Sequence, residues 1–345
     1  MGLRTYIITR ILLTIPTLLV LLSMVFVIMR VLPGDPVDLH FEKKATPEQM
    51  ADMRRLLGLD KPLWVQYTDY IGGLMDIGYF LKHGYPNLGK SMQTFEEVGG
   101  QIFSAFPATL ELAIYSMIIA SVIGILLGVI ASKSYNSILD HMIRGFGIVT
   151  YAIPVFFLGI ILQLIFGVYL RWLPTGLRIS PMVEPPVTIT GLYTIDSLLE
   201  GNIIKFSESL KALLLPSLTL GIILSGMFIR LTRTNMLETL RLDFITAARA
   251  RGLKDETVTY GYALRNAFLP ILTMMGLQFA LLLGGAILTE TTFSWPGLGR
   301  YIVDRINFRD YTAIQGAIVM FGLFVTLVSL IVDILYAYFD PRIRL

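Results

Sequence analysis

Six long stretches of this 345-residue chain carry no Asp, Glu, Lys or Arg, and no other uncharged stretch reaches 18 residues. They cover residues 11–29, 112–132, 145–170, 212–229, 266–289 and 311–332. A helix of about 20 apolar residues crosses the roughly 30 Å hydrocarbon core of a bilayer. Backbone polar groups cannot stay unpaired in lipid, so each stretch is predicted to be a helix. The sequence therefore predicts an all-α polytopic membrane protein with six transmembrane helices.

The composition supports a membrane protein and excludes several kinds of site. Charged residues make up 15% of the chain, against about 25% in soluble domains. Without cysteine, the chain can form no disulfide, thiolate metal site or cysteine nucleophile. The histidines His40, His83 and His141 are scattered and form no catalytic or metal-binding set. We therefore expect no catalytic residue, no metal and no nucleic-acid partner for this chain.

The distribution of Lys and Arg predicts the orientation, because cytoplasmic loops carry an excess of positive charge. If the N-terminus is cytoplasmic, the inside segments hold 13 Lys and Arg in 70 residues, and the outside segments hold 14 in 137. The segment 230–270, with 7 basic residues, contributes most of this contrast. Both termini are therefore predicted to be cytoplasmic.

The segment between the fourth and fifth predicted spans is predicted to form two short helices joined by a glycine. Four residues share one face of the first helix by the 3.6-residue period: Phe244, Ala247, Ala248 and Arg251. The adjacent alanines would leave that face flat. Gly252 suits the left-handed position that ends a helix, and Asp255 is predicted to cap the next one.

The residues alone leave two interpretations of this segment open. One is a docking surface for an ATPase, since helices joined rigidly to spans four and five would transmit a push into the membrane. The other is a solvated basic loop whose arginines only set the topology.

The same segment resembles the EAA loop of ABC importer permeases, which docks into a groove on the ATPase subunit. The match lies in the pair Ala247 and Ala248, in Gly252 four residues later, and in Pro270 downstream. Thr246 stands where many families carry the glutamate of the motif, and peptide-transport permeases often carry threonine there. Further stretches resemble dipeptide and oligopeptide permease subunits over nearly the full length: 6–10, 30–36, 108–112, 153–156, 173–176, 230–233, 293–299, 309–311, 333–336 and 340–344.

The resemblance implies a type I ABC importer permease fold and a non-catalytic subunit in the cell membrane of a prokaryote. It also implies a homologous second permease subunit, two ATPase subunits that bind ATP and Mg, and an extracytoplasmic substrate-binding protein. No cofactor is expected on this chain itself. The residues carried over as the ATPase-coupling loop are Phe244, Thr246, Ala247, Ala248, Arg251, Gly252, Leu253 and Asp255.

The expected function is to form half of the translocation path of an ATP-driven importer of di- or oligopeptides. The resemblance extends to importers of nickel and of oligosaccharides, so these cargoes stay open. A stand-alone secondary carrier is the alternative of a different class. A proton-coupled carrier would want a carboxylate near the middle of a span, and the six uncharged stretches contain none.

The chain is predicted to divide into four segments. Residues 1–31 form the first transmembrane helix, and 32–105 form an extracytoplasmic region. Residues 106–338 form the permease core, with five transmembrane helices and the cytoplasmic coupling loop 231–270, and 339–345 form a cytoplasmic tail.

Short helices are predicted in both outer segments. In the first, Thr46 and Pro47 predict a helix start and Gly58 a helix stop. In the second, residues 192–199 and 203–210 are expected to form two separate short helices.

Three residues are candidates for the pathway or its gate: Gln163, Pro154 and Glu290. Gln163 is the most polar mid-span residue, and either faces the path or hydrogen-bonds a neighbouring helix. Pro154 should kink the third span, and the kink would shape a central cavity. Glu290, Glu111 and Asp333 lie near the ends of predicted spans, where structural pairing is favoured over gating.

Two glycine motifs have contrasting interpretations. Residues 84–91 match the letters of a phosphate-binding loop, but no apolar strand precedes them, so ATP binding is not expected. Gly124 and Gly128 are spaced as in closely packed membrane helices, and predict tight contact of the second span with a neighbour.

Overall fold

The computed structural model describes residues 3–31, 37, 46–283 and 286–339. Residues 340–345 of the predicted tail, and residues 32–36 and 38–45 of the predicted extracytoplasmic segment, lie outside the described residues. The helices are α1 (Leu3–Val31), α2 (Pro47–Leu56), α3 (Leu63–Leu74), α4 (Ile77–His83), α5 (Val98–Lys133), α6 (Ile138–Ala152), α7 (Val155–Leu162), α8 (Tyr193–Leu199), α9 (Ile203–Thr239), α10 (Asp243–Ala250), α11 (Leu264–Leu283), α12 (Ile287–Thr292), α13 (Leu298–Asn307) and α14 (Tyr311–Phe339). Turns of π-helix extend α7 over Gln163–Tyr169 and precede α11 over Thr257–Ala263.

The helices of the described residues account for six membrane spans when one bent pair is counted as a single span. The helices α1, α5, α9 and α14, and α11 together with its π-helical start, are each long and apolar enough to cross a bilayer. The pair α6 and α7 passes the same test together, but its two parts are bent by 103°. The predicted all-α fold with six spans is confirmed, and its third span is broken.

The break in the third span lies at Pro154. Proline has no backbone N–H to donate, and it disfavours a helical conformation in the residue before it. Ile153 accordingly has φ −77° and ψ 129°, an extended conformation, so α6 ends at Ala152 and α7 begins at Val155. The predicted kink is therefore confirmed as a sharp bend between two helices.

The helices α5 and α9 pack closely through glycines. A Cβ atom on Gly124 would lie 2.3 Å from Cβ of Phe228, and one on Gly128 would lie 2.5 Å from Cβ of Thr232. On α9, a Cβ atom on Gly221 would meet Ile119 of α5 at 2.5 Å. The absence of side chains at these glycines lets the backbones approach, and the predicted tight packing of the second span is confirmed.

We expect Gly128→Ala to destabilise the chain by about 1–3 kcal/mol, because the added methyl group forces α5 away from α9. The matched control is Gly145→Ala on α6, where an added Cβ meets nothing within 4 Å. The control is expected to be neutral or slightly stabilising. Thermal unfolding of both variants in the same detergent checks this, and equal melting temperatures would contradict it.

The first and last spans lie side by side. Leu22 and Val25 of α1 are buried against Val319 of α14. Near the other end of α1, the Arg10 guanidinium pairs with the Asp333 carboxylate at 2.5 Å. Asp333 therefore has the structural pairing that was favoured for it.

The predicted helix start at Thr46 is confirmed, and it is a capping box. The Thr46 hydroxyl accepts from the Gln49 amide, and the Gln49 side chain accepts from the Thr46 amide. This reciprocal pair satisfies two otherwise unpaired donors. Gly58, the predicted stop, has φ +65°, in the left-handed region.

The prediction of a separate short helix over 203–210 is wrong. Asn202 caps the helix by accepting from the Lys205 amide at 3.1 Å, and α9 then continues to Thr239. The charged residues of this segment lie outside the uncharged stretch 212–229, but they are part of the same continuous helix. Lys205 instead pairs with Glu200, and Lys211 pairs with Glu208.

The segment 84–91 does not have the geometry of a phosphate-binding loop. It follows the helix α4 rather than a strand. The hydroxyl of Ser91, at its end, is buried and donates to the Asp310 carboxylate. This hydrogen bond therefore joins the loop between α4 and α5 to the start of α14.

Candidate coupling site and translocation path

The helix α10 ends as the sequence predicts. Gly252 follows Arg251 with φ +73°, and its amide donates to the Arg249 carbonyl at 2.9 Å. Helical structure resumes at residue 255. A Cβ atom added to Gly252 would meet nothing within 4 Å, so only the backbone conformation favours glycine there.

The inward face of α10 belongs to a buried apolar cluster that joins four helical elements. Ile245 is fully buried and Ala248 is 4% exposed. They pack with Val129 of α5, Met236 of α9 and Val258 at the π-helical start of α11. A displacement of α10 is therefore carried directly to three membrane-spanning helices.

The outward face of α10 and the turn after it are exposed. The exposed members of the predicted coupling set are Phe244, Thr246, Ala247, Arg251, Gly252, Leu253 and Asp255. Placing Ala248 beside Ala247 on a contact face was wrong, because successive helical residues are rotated by about 100°. Ala248 lies three residues after Ile245 and shares its inward direction, so it fixes α10 to the core.

Asp255 does not cap the following helix. Residue 255 is already helical, and its carboxylate pairs with Lys133 at 3.2 Å and with Arg249 at 4.0 Å. The three side chains connect the end of α5, α10 and the start of the next helix. Because all are at least partly exposed, this network is expected to contribute little to the free energy of unfolding.

In the N-terminal half of α5, a buried ion pair fastens a loop to the bundle. The Arg178 guanidinium donates to the Glu111 carboxylate at 2.7 Å, and both side chains are buried. Glu111 also accepts from the amide and hydroxyl of Thr194, and Arg178 lies 3.8 Å from the centre of the Tyr193 ring. Glu111 thus has the structural pairing that was favoured for it.

Glu290 is fully buried in the short helix α12. Its carboxylate accepts from the Thr109 hydroxyl at 2.7 Å and from the Arg300 amide at 2.9 Å. Burial raises the pKa of Glu290, and these hydrogen bonds oppose the rise. Nearby, the Trp295 indole donates to the Ala108 carbonyl at 2.8 Å. In this conformation Glu290 joins α5, α12 and α13, and a gating role for it stays a prediction.

Gln163 begins the π-helical extension of α7. Its amide donates to the carbonyls of Thr175 at 2.6 Å and Thr292 at 3.0 Å, and it lines a cavity of about 580 Å³. In this conformation Gln163 therefore hydrogen-bonds neighbouring segments, which is one of its two predicted roles. Its other predicted role, in the translocation path, stays a prediction.

Two family descriptions match this sequence. Residues 3–113 match the N-terminal part of a binding-protein-dependent transport system membrane component. Residues 124–345 match the family described as the binding-protein-dependent transport system inner membrane component. The chain belongs to this family. The fold is thus that of a type I ABC importer permease, as predicted, and the chain is a polytopic inner-membrane permease subunit and not an enzyme.

Curated relatives of this permease match it end to end. It is 41% identical to the di/tripeptide transport system permease protein DppB of Pseudomonas aeruginosa, over 99% of this chain and 98% of the relative. It is 40% identical to the dipeptide transport system permease protein DppB of Escherichia coli, over 98% of each chain. It is 37% identical to the glutathione transport system permease protein GsiC of Salmonella typhimurium, again over 98% of each.

Several residues that shape this permease carried no signal in the sequence. Arg178 sits in a proline-rich loop 67 residues from its partner Glu111. In the sequence, Lys133 is only one of the basic residues of the predicted inside segments, and Trp295 is only part of the stretch 293–299. Their partners are distant in the chain, so local patterns did not reveal the contacts.

Proposed function

We propose that this permease forms half of the translocation path of an ATP-driven importer of di- or oligopeptides. A homologous second permease subunit would supply the other half. Two ATPase subunits, which hold ATP and Mg, and an extracytoplasmic substrate-binding protein complete the transporter. Both termini and the helix α10 face the cytoplasm.

The observation that carries this proposal is the two-faced helix α10. Its inward face packs on α5, α9 and the start of α11, and its outward face is exposed. The charges around that exposed face are mixed: Arg249, Arg251 and Lys254 are exposed, and so are Asp243, Asp255 and Glu256. A solvated loop that only sets topology has no need for a rigid buried anchor.

The mechanism follows from that anchor. Closure of the ATPase pair on ATP moves α10, and Ile245 and Ala248 carry the movement to the ends of the spans. The bend at Pro154 divides the third span into two parts that can change direction separately. The permease pair switches from inward-open to outward-open, and hydrolysis resets it. No residue of this chain takes part in ATP chemistry.

The cargo is proposed to be a peptide. The relatives described above carry names that refer to di- and tripeptides, dipeptides and glutathione, and all of these are peptides. Nickel and oligosaccharides remain the alternative cargoes, and uptake measurements must compare them with a peptide.

The experiment is affinity purification of this chain from its native membrane in mild detergent, with mass spectrometry of the associated proteins. A second permease and two ATPases are expected. The complex is then reconstituted in liposomes with its co-purified binding protein outside and ATP inside. Uptake of a labelled dipeptide is compared with uptake of Ni²⁺ and a labelled oligosaccharide.

Uptake of the dipeptide that requires ATP supports the proposal. Saturable uptake by the chain alone, without ATP or partners, would replace it with a secondary carrier. ATP-dependent uptake of nickel or of the oligosaccharide, without uptake of the dipeptide, would support the ATP-driven importer and contradict the peptide substrate.

A further inference from the structure

A cavity of about 670 Å³ lies between α6 and α9, apart from the coupling face and from the Glu111–Arg178 pair. Three arginines line it, together with apolar side chains: Arg144, Arg230, Arg233, Ile148, Tyr151 and Met227. Among the described residues that line it there is no Asp or Glu. This size and mixed lining fit a small molecule with one charged group.

One of the arginines is held in place by a buried carboxylate. Arg233 donates through two nitrogens to Asp140, each at 2.7 Å, and Asp140 is fully buried. Asp140 also accepts from the Asn136 amide at 3.0 Å. The charge of Arg233 is therefore balanced within the chain, and this pair fixes α6 to α9 beside the cavity.

The other two arginines have no carboxylate partner of their own, although Arg144 also interacts electrostatically with Asp140. Arg144 and Arg230 are exposed, and neither forms a hydrogen bond or ion pair with another described residue. Three arginines against the single Asp140 leave an excess of two positive charges at the cavity. An anion there would meet planar guanidinium groups, which bind carboxylates through paired hydrogen bonds.

We propose that this cavity is a carboxylate-binding subsite of the path, in which Arg144 and Arg230 hold the C-terminal carboxylate of a peptide. The apolar wall formed by Ile148, Tyr151 and Met227 receives the neighbouring side chain of the peptide. The proposal rests on the proposed peptide function, and on the cytoplasmic orientation of the segments that carry these arginines.

The position of the cavity relates it to the coupling site. Arg230 and Arg233 lie within two helical turns of Met236, which packs against Ile245 and Ala248 of α10. A movement of α10 therefore shifts the wall that carries two of the arginines. The subsite would hold the peptide in one conformation of the transporter and release it in the other.

The test uses the complete purified transporter in nanodiscs, without the binding protein. The probe is alanyl-benzoylphenylalanine, a photoreactive dipeptide, and mass spectrometry locates the labelled residues. We expect labelling on α6 or α9 around the cavity. Unlabelled dialanine should compete for it, whereas its C-terminal amide should not, because the amide lacks the carboxylate.

The variant is Arg144→Gln combined with Arg230→Gln. Loss of charged hydrogen bonds is expected to reduce labelling at subsaturating probe by about tenfold or more. Arg233 is left unchanged because its removal would strand the buried Asp140. The matched control is Arg265→Gln, which removes an exposed arginine that does not line the cavity and should label as the unmodified protein does.

Two results would overturn the subsite. One is labelling that lies elsewhere than around the cavity, and the other is labelling that is unchanged in the double variant. If the double variant with unchanged labelling also loses a bound anionic phospholipid in native mass spectrometry, the cavity binds a lipid headgroup instead, as basic pockets between membrane helices do. ATP-driven dipeptide uptake, measured in parallel on the unmodified complex, separates the two proposals. Intact uptake with unchanged labelling rejects only the subsite, and absent uptake rejects the peptide function.

Discussion

Gly252→Val is expected to abolish ATP-driven uptake while the protein still inserts and folds. The φ of +73° is a conformation that β-branched residues avoid, at a cost of about 1–3 kcal/mol. The end of α10 is expected to relieve this strain by changing its backbone, which would turn its exposed face away from the proposed ATPase subunit. An added Cβ meets nothing within 4 Å, so the core packing is expected to stay intact. Uptake in liposomes and co-purification of the ATPases measure the effect.

The matched control for this variant is Gly252→Asn. Asparagine adopts the left-handed conformation more readily than other residues with a side chain, so it should retain most of the uptake. The pair therefore separates backbone conformation from side-chain bulk. Normal uptake by the valine variant, or equal loss in both, would remove the conformational explanation.

Arg178→Gln is expected to lower the free energy of unfolding by about 3–5 kcal/mol, because it leaves a buried carboxylate without its counter-charge. This loss is larger than the one expected for Gly128→Ala. Glu111 is 2% exposed and would keep only the hydrogen bonds from Thr194. The loop that Arg178 fastens should loosen together with α8. Thermal unfolding in detergent measures the effect, and limited proteolysis within 171–192 locates it.

Two comparisons make this second prediction specific. Adding Glu111→Gln to the variant removes the stranded charge, so the double variant should be more stable than the single one. Lys61→Gln breaks a pair with Asp69 of the same 2.7 Å length, but both partners are about half exposed. Water screens the charges of exposed pairs and leaves them little net stabilisation, so the melting temperature should hardly change. An equal loss in Lys61→Gln and Arg178→Gln would contradict the burial argument.

Features that depend on local chemistry could be predicted from the sequence. The six spans follow from uncharged length, and the break at Pro154 follows from a missing N–H. The left-handed Gly252 and the capping box at Thr46 follow from residue type at a helix end. Each of these is determined by one continuous segment of the chain, so no knowledge of the tertiary structure was needed.

Features that depend on distant contacts could not be predicted. Asp255 looks like a helix cap until Lys133, which is far away in the chain, is placed beside it. Apolar residues lie on both sides of α10, with Phe244 outward and Ile245 inward, so periodicity alone did not decide where Ala248 points. The helices on either side of Pro154 are bent by 103°, and this angle could not be predicted, because a proline interrupts a helix without setting the direction of the next one.

The pairing of α1 with α14 has a consequence for biosynthesis. The ribosome makes α1 first, and about 280 residues separate the end of α1 from the start of α14. At about 5–20 residues per second, α1 stays in the bilayer for roughly 15–60 s before its neighbour emerges. Arg10 has no Asp333 to pair with during that time. A nascent chain halted before residue 311 should therefore expose α1 to lipid cross-linkers along the face that α14 later covers.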